Sequence, residues 1–205
     1  MAESSQPASI DSRRLRSERT RQYIVEAYLA LLNESPRLPT AVQIAERAGY
    51  SVRSLFERFP DLLTLSVAAA DFAFAQANAE AVIRNVSADR PTRIRTQVET
   101  RGGTGERWLP LWRALNANKH YSPELKQRIQ VIRGAVVRRL ELMYRPDLSP
   151  LSEKERRSIL IALEVLTDFE SWARMRFEHG LGIEEACAVW IRAIDGLLPP
   201  TPAVS

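Results

Sequence analysis

Few residues in this 205-residue chain are placed to make or break bonds. His120 and His179 are the only histidines, far apart and outside any H-E-x-x-H arrangement, so a zinc site has no spacing to rest on. Cys187 lies on an apolar helical stripe, where a thiol is packed rather than reactive. Gly102-Gly-Thr-Gly105 lacks the lysine and hydroxyl of a phosphate-binding loop, and no G-x-S-x-G occurs. Nothing calls for a metal or a cofactor, and an all-α enzyme would be left without a recognisable catalytic set. What remains is guanidinium and hydroxyl chemistry between Thr40 and Phe59. Arg53 can bridge guanine O6 and N7 in a bidentate pair, Val52 can touch a thymine methyl, and Ser54 can bond a base or a phosphate. Thr40, Ser51 and Arg58 suit phosphate contacts, the first two at helix starts with free N–H groups and the third as a charge. Arg53 has a competing partner in Glu57, four residues on, and Ser51 serves equally as a helix cap.

Those groups need a helix pair to hold them. Thr40 is a good N-cap for a helix reaching Ala48, with Ala41, Ile44, Ala45 and Ala48 on its inner face. Gly49 suits the left-handed turn that follows, and Ser51 caps a short helix from Val52 to Phe59 anchored by Leu55, Phe56 and Phe59. Ahead of this pair, Ile24, Ala27, Tyr28, Leu31 and Leu32 form an amphipathic stripe that Ser35-Pro-Arg-Leu-Pro39 breaks. Residues 1–12 are small and polar and are expected to order only on binding. Between residues 13 and 21 five arginines face one acid, Glu18: a solvated helix start, or an arm along a phosphate backbone.

Behind the pair, Pro60 is expected to open a long helix running through Leu65, Ala69, Phe72, Ala79 and Ile83. Pro91 to Glu99 reads as helix, Gly102-Gly-Thr-Gly105 as a break, and Trp108, Leu111, Trp112 and Leu115 as the next stripe. Ser122-Pro123 caps a helix to about Tyr144, and residues 145–150 read as a loop. Ser152 and Glu155 have capping-box spacing, opening a helix expected to reach Glu178. Gly180 and Gly182 precede a final helix that Pro199-Pro200 ends. No stretch alternates as a strand does, so the fold class is all-α.

Composition sets the surroundings. The hydrophobic content of 45% is that of a globular protein, and the net charge of +4, with nearly all the positive charge on arginine, favours an anionic partner. A single cysteine excludes an internal disulfide framework and suits a reducing cytosol. The N-terminus carries no secretory pattern, and the window Leu62 to Ile83 holds Asp71, Gln76, Asn78 and Glu80, too polar for a bilayer. The expected location is cytoplasmic, without a membrane partner.

Thr40, Ile44-Ala45, the turn Ala48-Gly49-Tyr50-Ser51 and Leu55-Phe56-x-x-Phe59-Pro60 stand in order behind an amphipathic helix and ahead of a long one. On these residues, from about 19 to 78, the chain resembles the N-terminal domain of the TetR family of bacterial transcriptional regulators. Phe169-Glu-Ser-Trp172 and Gly180-Leu-Gly-Ile-Glu-Glu-Ala186 before an apolar helix resemble the closing helices of such proteins; residues 84–150 match no named pattern.

The resemblance implies a three-helix DNA-binding domain over 17–78, with its helix-turn-helix at 40–59, behind an arm over 1–16 and ahead of an effector-binding and dimerisation domain over 79–205. It implies a homodimer whose recognition helices reach successive major-groove segments of double-stranded DNA about 34–36 Å apart. The operator is then palindromic, and a small-molecule effector in the body relieves repression. Phe56 stands where the family has tyrosine and Leu62 where it has lysine, so two phosphate contacts are missing; Arg13, Arg14 and Arg16 are the expected substitutes. Trp108, Trp112, Tyr144, Trp172 and Met175, with Arg113 and His120 as polar handles, are the expected effector contacts. Ile159, Leu163, Leu166, Trp190, Ile191 and Ile194 are the expected dimer contacts. The alternative is a helical ligand-binding or scaffold protein whose helix-turn-helix has lost strong DNA binding.

Overall fold

The computed structural model describes residues 7–35, 37–80 and 84–201, and among them every regular element is a helix. The first is α1, Pro7–Glu34, which begins inside the segment expected to be unstructured. Its early turns are rich in arginine, a good helix former, and Arg14 pairs with Glu18 one turn on at 3.1 Å.

Helices α2, Ala41–Ala48, and α3, Val52–Arg58, follow as a tight pair. Leu55 and Phe59 are buried with Ile24, Tyr28, Ile44 and Ala45 of the first two helices, so α1 supplies the wall that the short pair cannot build for itself. Helix α4, Leu62–Glu80, starts two residues after Pro60, because the Asp61 carboxylate accepts the Thr64 N–H at 2.7 Å and caps it. By length and composition α4 is apolar enough to cross a membrane, contrary to the polarity expected of it; its alanines outweigh its polar residues. It packs against α1 and two later helices, and buries Leu65, Ala69, Ala70 and Ala73.

Helix α5, Arg90–Asn118, runs unbroken through Gly102 and Gly105, where a break was expected. The glycines serve packing: a Cβ at Gly102 would lie 2.8 Å from the Trp172 ring, and one at Gly105 2.7 Å. The fully buried Trp172 indole thus lies in a groove that only glycine leaves open. Helix α6, Pro123–Met143, returns along α4 and α5, and the expected loop after it contains a one-turn helix, α7, Arg145–Leu148.

The long helix expected from Ser152 is interrupted. Helix α8, Glu153–Leu166, opens with the Ser152–Glu155 capping box and ends at Thr167, whose N–H and hydroxyl both turn back to the Leu163 carbonyl. Helix α9, Phe169–Ala173, then restarts the chain and widens into a π turn over Arg174–Glu178. Helix α10, Ile183–Leu197, closes the fold against α5 and touches α8.

One apolar cluster runs from α1, α2 and α3 through α4 into α5 and the start of α6; a second joins the first half of α5 to the end of α6, α8 and α10. Beneath the second, Asp147 is wholly buried and accepts a 2.6 Å bond from Arg93 and another from Thr201. Arg90 reaches Asp195 and the carbonyls of Leu198 and Pro199, tying the segment after α10 to the start of α5.

Candidate nucleic-acid interface

The helix pair is held by its own backbone chemistry. Thr40 accepts the Gln43 N–H, and the Gln43 side chain accepts the Thr40 N–H at 2.9 Å, the reciprocal cap for which Thr40-x-x-Gln43 is the sequence signature. Gly49 adopts φ +75°, and the N–H groups of Gly49 and Tyr50 return to the carbonyls of Glu46 and Ala45. Ser51 accepts the Ser54 N–H at 3.1 Å, while its hydroxyl lies 3.0 Å from that of Ser54. With these bonds made, the direction of α3 is set by Leu55 and Phe59, both fully buried.

Opposite those anchors lies a polar face. The Arg53 side chain is 89% exposed, and its Nε donates to Glu57 Oε1 at 3.1 Å, so the competing pair is formed. An exposed i, i+4 pair is worth about 0.3–0.5 kcal/mol, less than the roughly 1–3 kcal/mol of a bidentate guanine contact, so it yields to a base. Thr40 and Ser51 are exposed and Val52 and Ser54 half-buried. Phe56 presents a 43% exposed ring without a hydroxyl on the same helix. Arg58 is half-buried and 3.7 Å from Glu57. Leu62 packs against the core, where a lysine would be forced outward.

α1 buttresses this face. Arg21 donates to the Arg58 carbonyl at 2.5 Å and stacks over the Phe59 ring at 4.3 Å, and Thr20 Oγ1 lies 3.5 Å from the Tyr50 hydroxyl. Arg14 and Arg16 are exposed one to two turns further out, so they are carried on a helix and not on an extended arm. The side chain of Arg13 lies outside the described residues.

A cavity of about 470 Å³ opens between α4, α5 and α6. Trp108 and Trp112 line it, facing Phe74 of α4, and Phe169 closes it while stacking on Trp112 with ring centroids 5.0 Å apart. Its polar contacts were missed from sequence: Asn78, Gln97, Thr100, Arg101, Thr104, Arg138 and Arg139. Burial lowers the Arg101 pKa to about 10 against the pull of Asp168 and Glu164, which leaves it a cation at neutral pH. The one available signal was register, since Gln97, Arg101, Thr104, Trp108, Leu111 and Leu115 recur at helical spacing along one face of α5.

The other expected effector contacts lie elsewhere. Arg113 forms a surface fork with Glu170 at 2.8 and 2.9 Å, and His120 is exposed in the turn after α5. Tyr144 and Met175 belong to the second apolar cluster, with the Tyr144 pKa raised by burial and by Asp147. Trp172 fills the glycine groove and donates Nε1–H to Glu106 at 2.8 Å. These aromatic side chains are core because the helices that carry them close on each other.

The same physics redirects the expected dimer contacts. Leu163, Trp190 and Ile194 are buried within the chain, Trp190 against Trp172 with ring centroids 4.9 Å apart, and Ile159, Leu166 and Ile191 are half-buried. The stripe facing outward is a different one: Ile161 and Val165 on α8, and Val189 and Gly196 on α10. Among the described residues no three His, Cys, Asp or Glu side chains gather as a metal site.

No protein-family model and no curated protein sequence matches the chain. Solved structures do. A TetR-family transcriptional regulator from Rhodococcus sp. superposes with a TM-score of 0.69 at 19% identity, over 87% of this chain and 98% of that one. A TetR-family transcriptional regulator from Streptomyces coelicolor superposes with a TM-score of 0.68 at 16% identity, over 88% and 80%. The chain has the fold of these regulators over most of its length.

Proposed function

We propose that the chain is a DNA-binding transcriptional regulator of the TetR kind, acting as a homodimer in the cytoplasm and released from a palindromic operator by a small molecule. One observation carries the reading: the capped, glycine-turned pair α2–α3 is braced by α1 so that the almost fully exposed Arg53 guanidinium projects from the outer face. A buried anchor opposite an exposed base-reading residue is the geometry a recognition helix needs. The fold shared with the two regulators, and an overall charge of +4, support it. Arg53, Val52 and Ser54 are the base-reading residues; Thr40, Ser51 and Arg58 position the backbone, with Phe56 packing against the sugar-phosphate edge. The cavity between α4, α5 and α6 is the effector site, and the outward faces of α8 and α10 meet their copies.

The test begins with selection of bound duplexes from a random pool, followed by binding of the recovered site to Arg53→Ala. The variant is expected to lose about 1–3 kcal/mol, roughly 5- to 150-fold, of specific binding while non-specific binding is little changed. Equal specific affinity in the variant would overturn the reading of α3 and favour the scaffold alternative, for which Phe56 and Leu62 already speak.

A further inference from the structure

Along α5 the lining of the cavity between α4, α5 and α6 passes from Gln97 and Arg101 to Trp108, Trp112 and Leu115. A 2.8 Å bond from Arg139 Nε to Gln97 Oε1 joins α6 to α5 beside Gln97, while the Arg101 guanidinium lies over Phe169, the ring that stacks on Trp112. Among the described residues the wall carries three guanidinium groups and no aspartate, glutamate, lysine or histidine.

We infer that this cavity takes an amphipathic organic acid, its apolar part between the two tryptophans and its anionic head against Arg101, Arg138 and Arg139. This rests on the reading of the cavity as the effector site and names what that effector is. A cationic ligand meets three like charges, and the carboxylates that act on Arg101, those of Asp168 and Glu164, are not among the described residues lining the cavity. A neutral apolar ligand strips water from the guanidinium groups and returns nothing. An anion returns charge-assisted hydrogen bonds, which are about twice as strong as neutral ones.

The hydrogen-bond inventory agrees. The hydroxyls of Thr100 and Thr104 already donate to the carbonyls of Thr96 and Thr100 at 2.8 Å, so they bring no proton to a ligand. Gln97 has its oxygen engaged by Arg139, which leaves its amide N–H groups as donors. Arg101 donates Nε–H to the Thr167 carbonyl at 2.9 Å and lies 4.8 Å over the Phe169 ring, so its position is fixed before a ligand arrives. Arg138 makes no ion pair with a carboxylate among the described residues and reaches the cavity from its exposed position on α6. The wall thus offers donors, and no described lining residue offers a carboxylate.

Calorimetry on the full chain without DNA tests this with decanoate and 2-naphthoate as aliphatic and aromatic acids. Decanol and 2-naphthol are the neutral matches and decyltrimethylammonium the cationic one. At least one acid is expected to bind tenfold or more tightly than its neutral match and than the cation. Arg138→Gln and Arg139→Gln should each weaken that acid several-fold, Arg138→Gln being the variant at an exposed position. Equal or tighter binding of the neutral or cationic compound, no binding of either acid, or acid binding untouched by both substitutions overturns the inference. A parallel gel shift separates it from the regulator reading. An acid that binds through the arginines yet leaves the selected operator bound supports the ligand class and counts against effector control. Release by the alcohol but not the acid does the reverse.

Discussion

At the residue scale, the glycines of α5 divide by what stands opposite them. Gly105→Ala adds a methyl 2.7 Å from Trp172 Cδ1, and that indole is fully buried with its Nε1 tied to Glu106. Overpacking costs about 1–3 kcal/mol, against roughly 1 kcal/mol of helix propensity recovered, so a net loss on the order of 1 kcal/mol is expected. Gly103 is exposed with nothing within 4 Å of the added Cβ, so Gly103→Ala is expected to gain about 0.5–1 kcal/mol. Urea midpoints of the two variants should move in opposite directions; a shift the same way would mean the groove is not tight. The pair also marks what the sequence can reveal. Gly49 was legible because its reason, a helix end, lies in its neighbours. Gly102 and Gly105 read as a break because their reason is a tryptophan distant in the chain. Trp108 and Trp112 stood out by size, whereas nothing local distinguishes Arg101 and Arg139 from the chain's other arginines, and only the cavity brings them to one wall.

Several elements are tied to each other by carboxylates as well as by the two apolar clusters, and that makes their docking acid-sensitive. Burial works against ionisation of Glu106, but hydrogen bonds from Arg176 and Trp172 and the Arg176 charge outweigh it and hold its pKa below the usual glutamate range. Glu170 is lowered as well, chiefly by its hydrogen bond from Arg113. Both tie α9 and its π turn to α5. A carboxyl whose pKa is lower in the folded state contributes stability that is full above its unfolded value and is lost as pH falls through the folded one. Stability should therefore decline from the ordinary glutamate range downward, and Glu106→Gln should flatten that decline. An unaltered slope in the variant would place the acid sensitivity elsewhere. The first helix makes a separate prediction: if Arg13, Arg14 and Arg16 touch phosphates, removal of residues 1–16 lowers the salt dependence of operator binding by nearly one unit for each phosphate left without its arginine. An unchanged slope would leave α1 as a brace for α3 and nothing more.

For the whole molecule, what matters is which apolar surface a single chain leaves uncovered. The sequence places apolar residues on most sides of α8 and α10, and periodicity alone cannot say which side meets its own chain. The fold decides: α8 turns Leu160 and Leu163 inward, and leaves Ile161 and Val165 53% and 62% exposed. α10 buries Ala186, Trp190 and Ile194 and turns Val189 and Gly196 outward. Two copies joined through these faces hold two copies of α3 at a fixed separation, which a palindrome read about 34–36 Å apart requires. The double variant Ile161→Glu/Val165→Glu places charges where only a partner would bury them. It is expected to sediment as a monomer with its helical signal intact, and to keep salt-sensitive DNA binding while losing preference for the two-half-site operator. Leu163→Ala is the contrast: it opens a space inside one chain and should cost about 2–5 kcal/mol of stability. Should the double variant still sediment as a dimer, the two chains meet through another surface, and the spacing of the recognition helices has to be derived from that one instead.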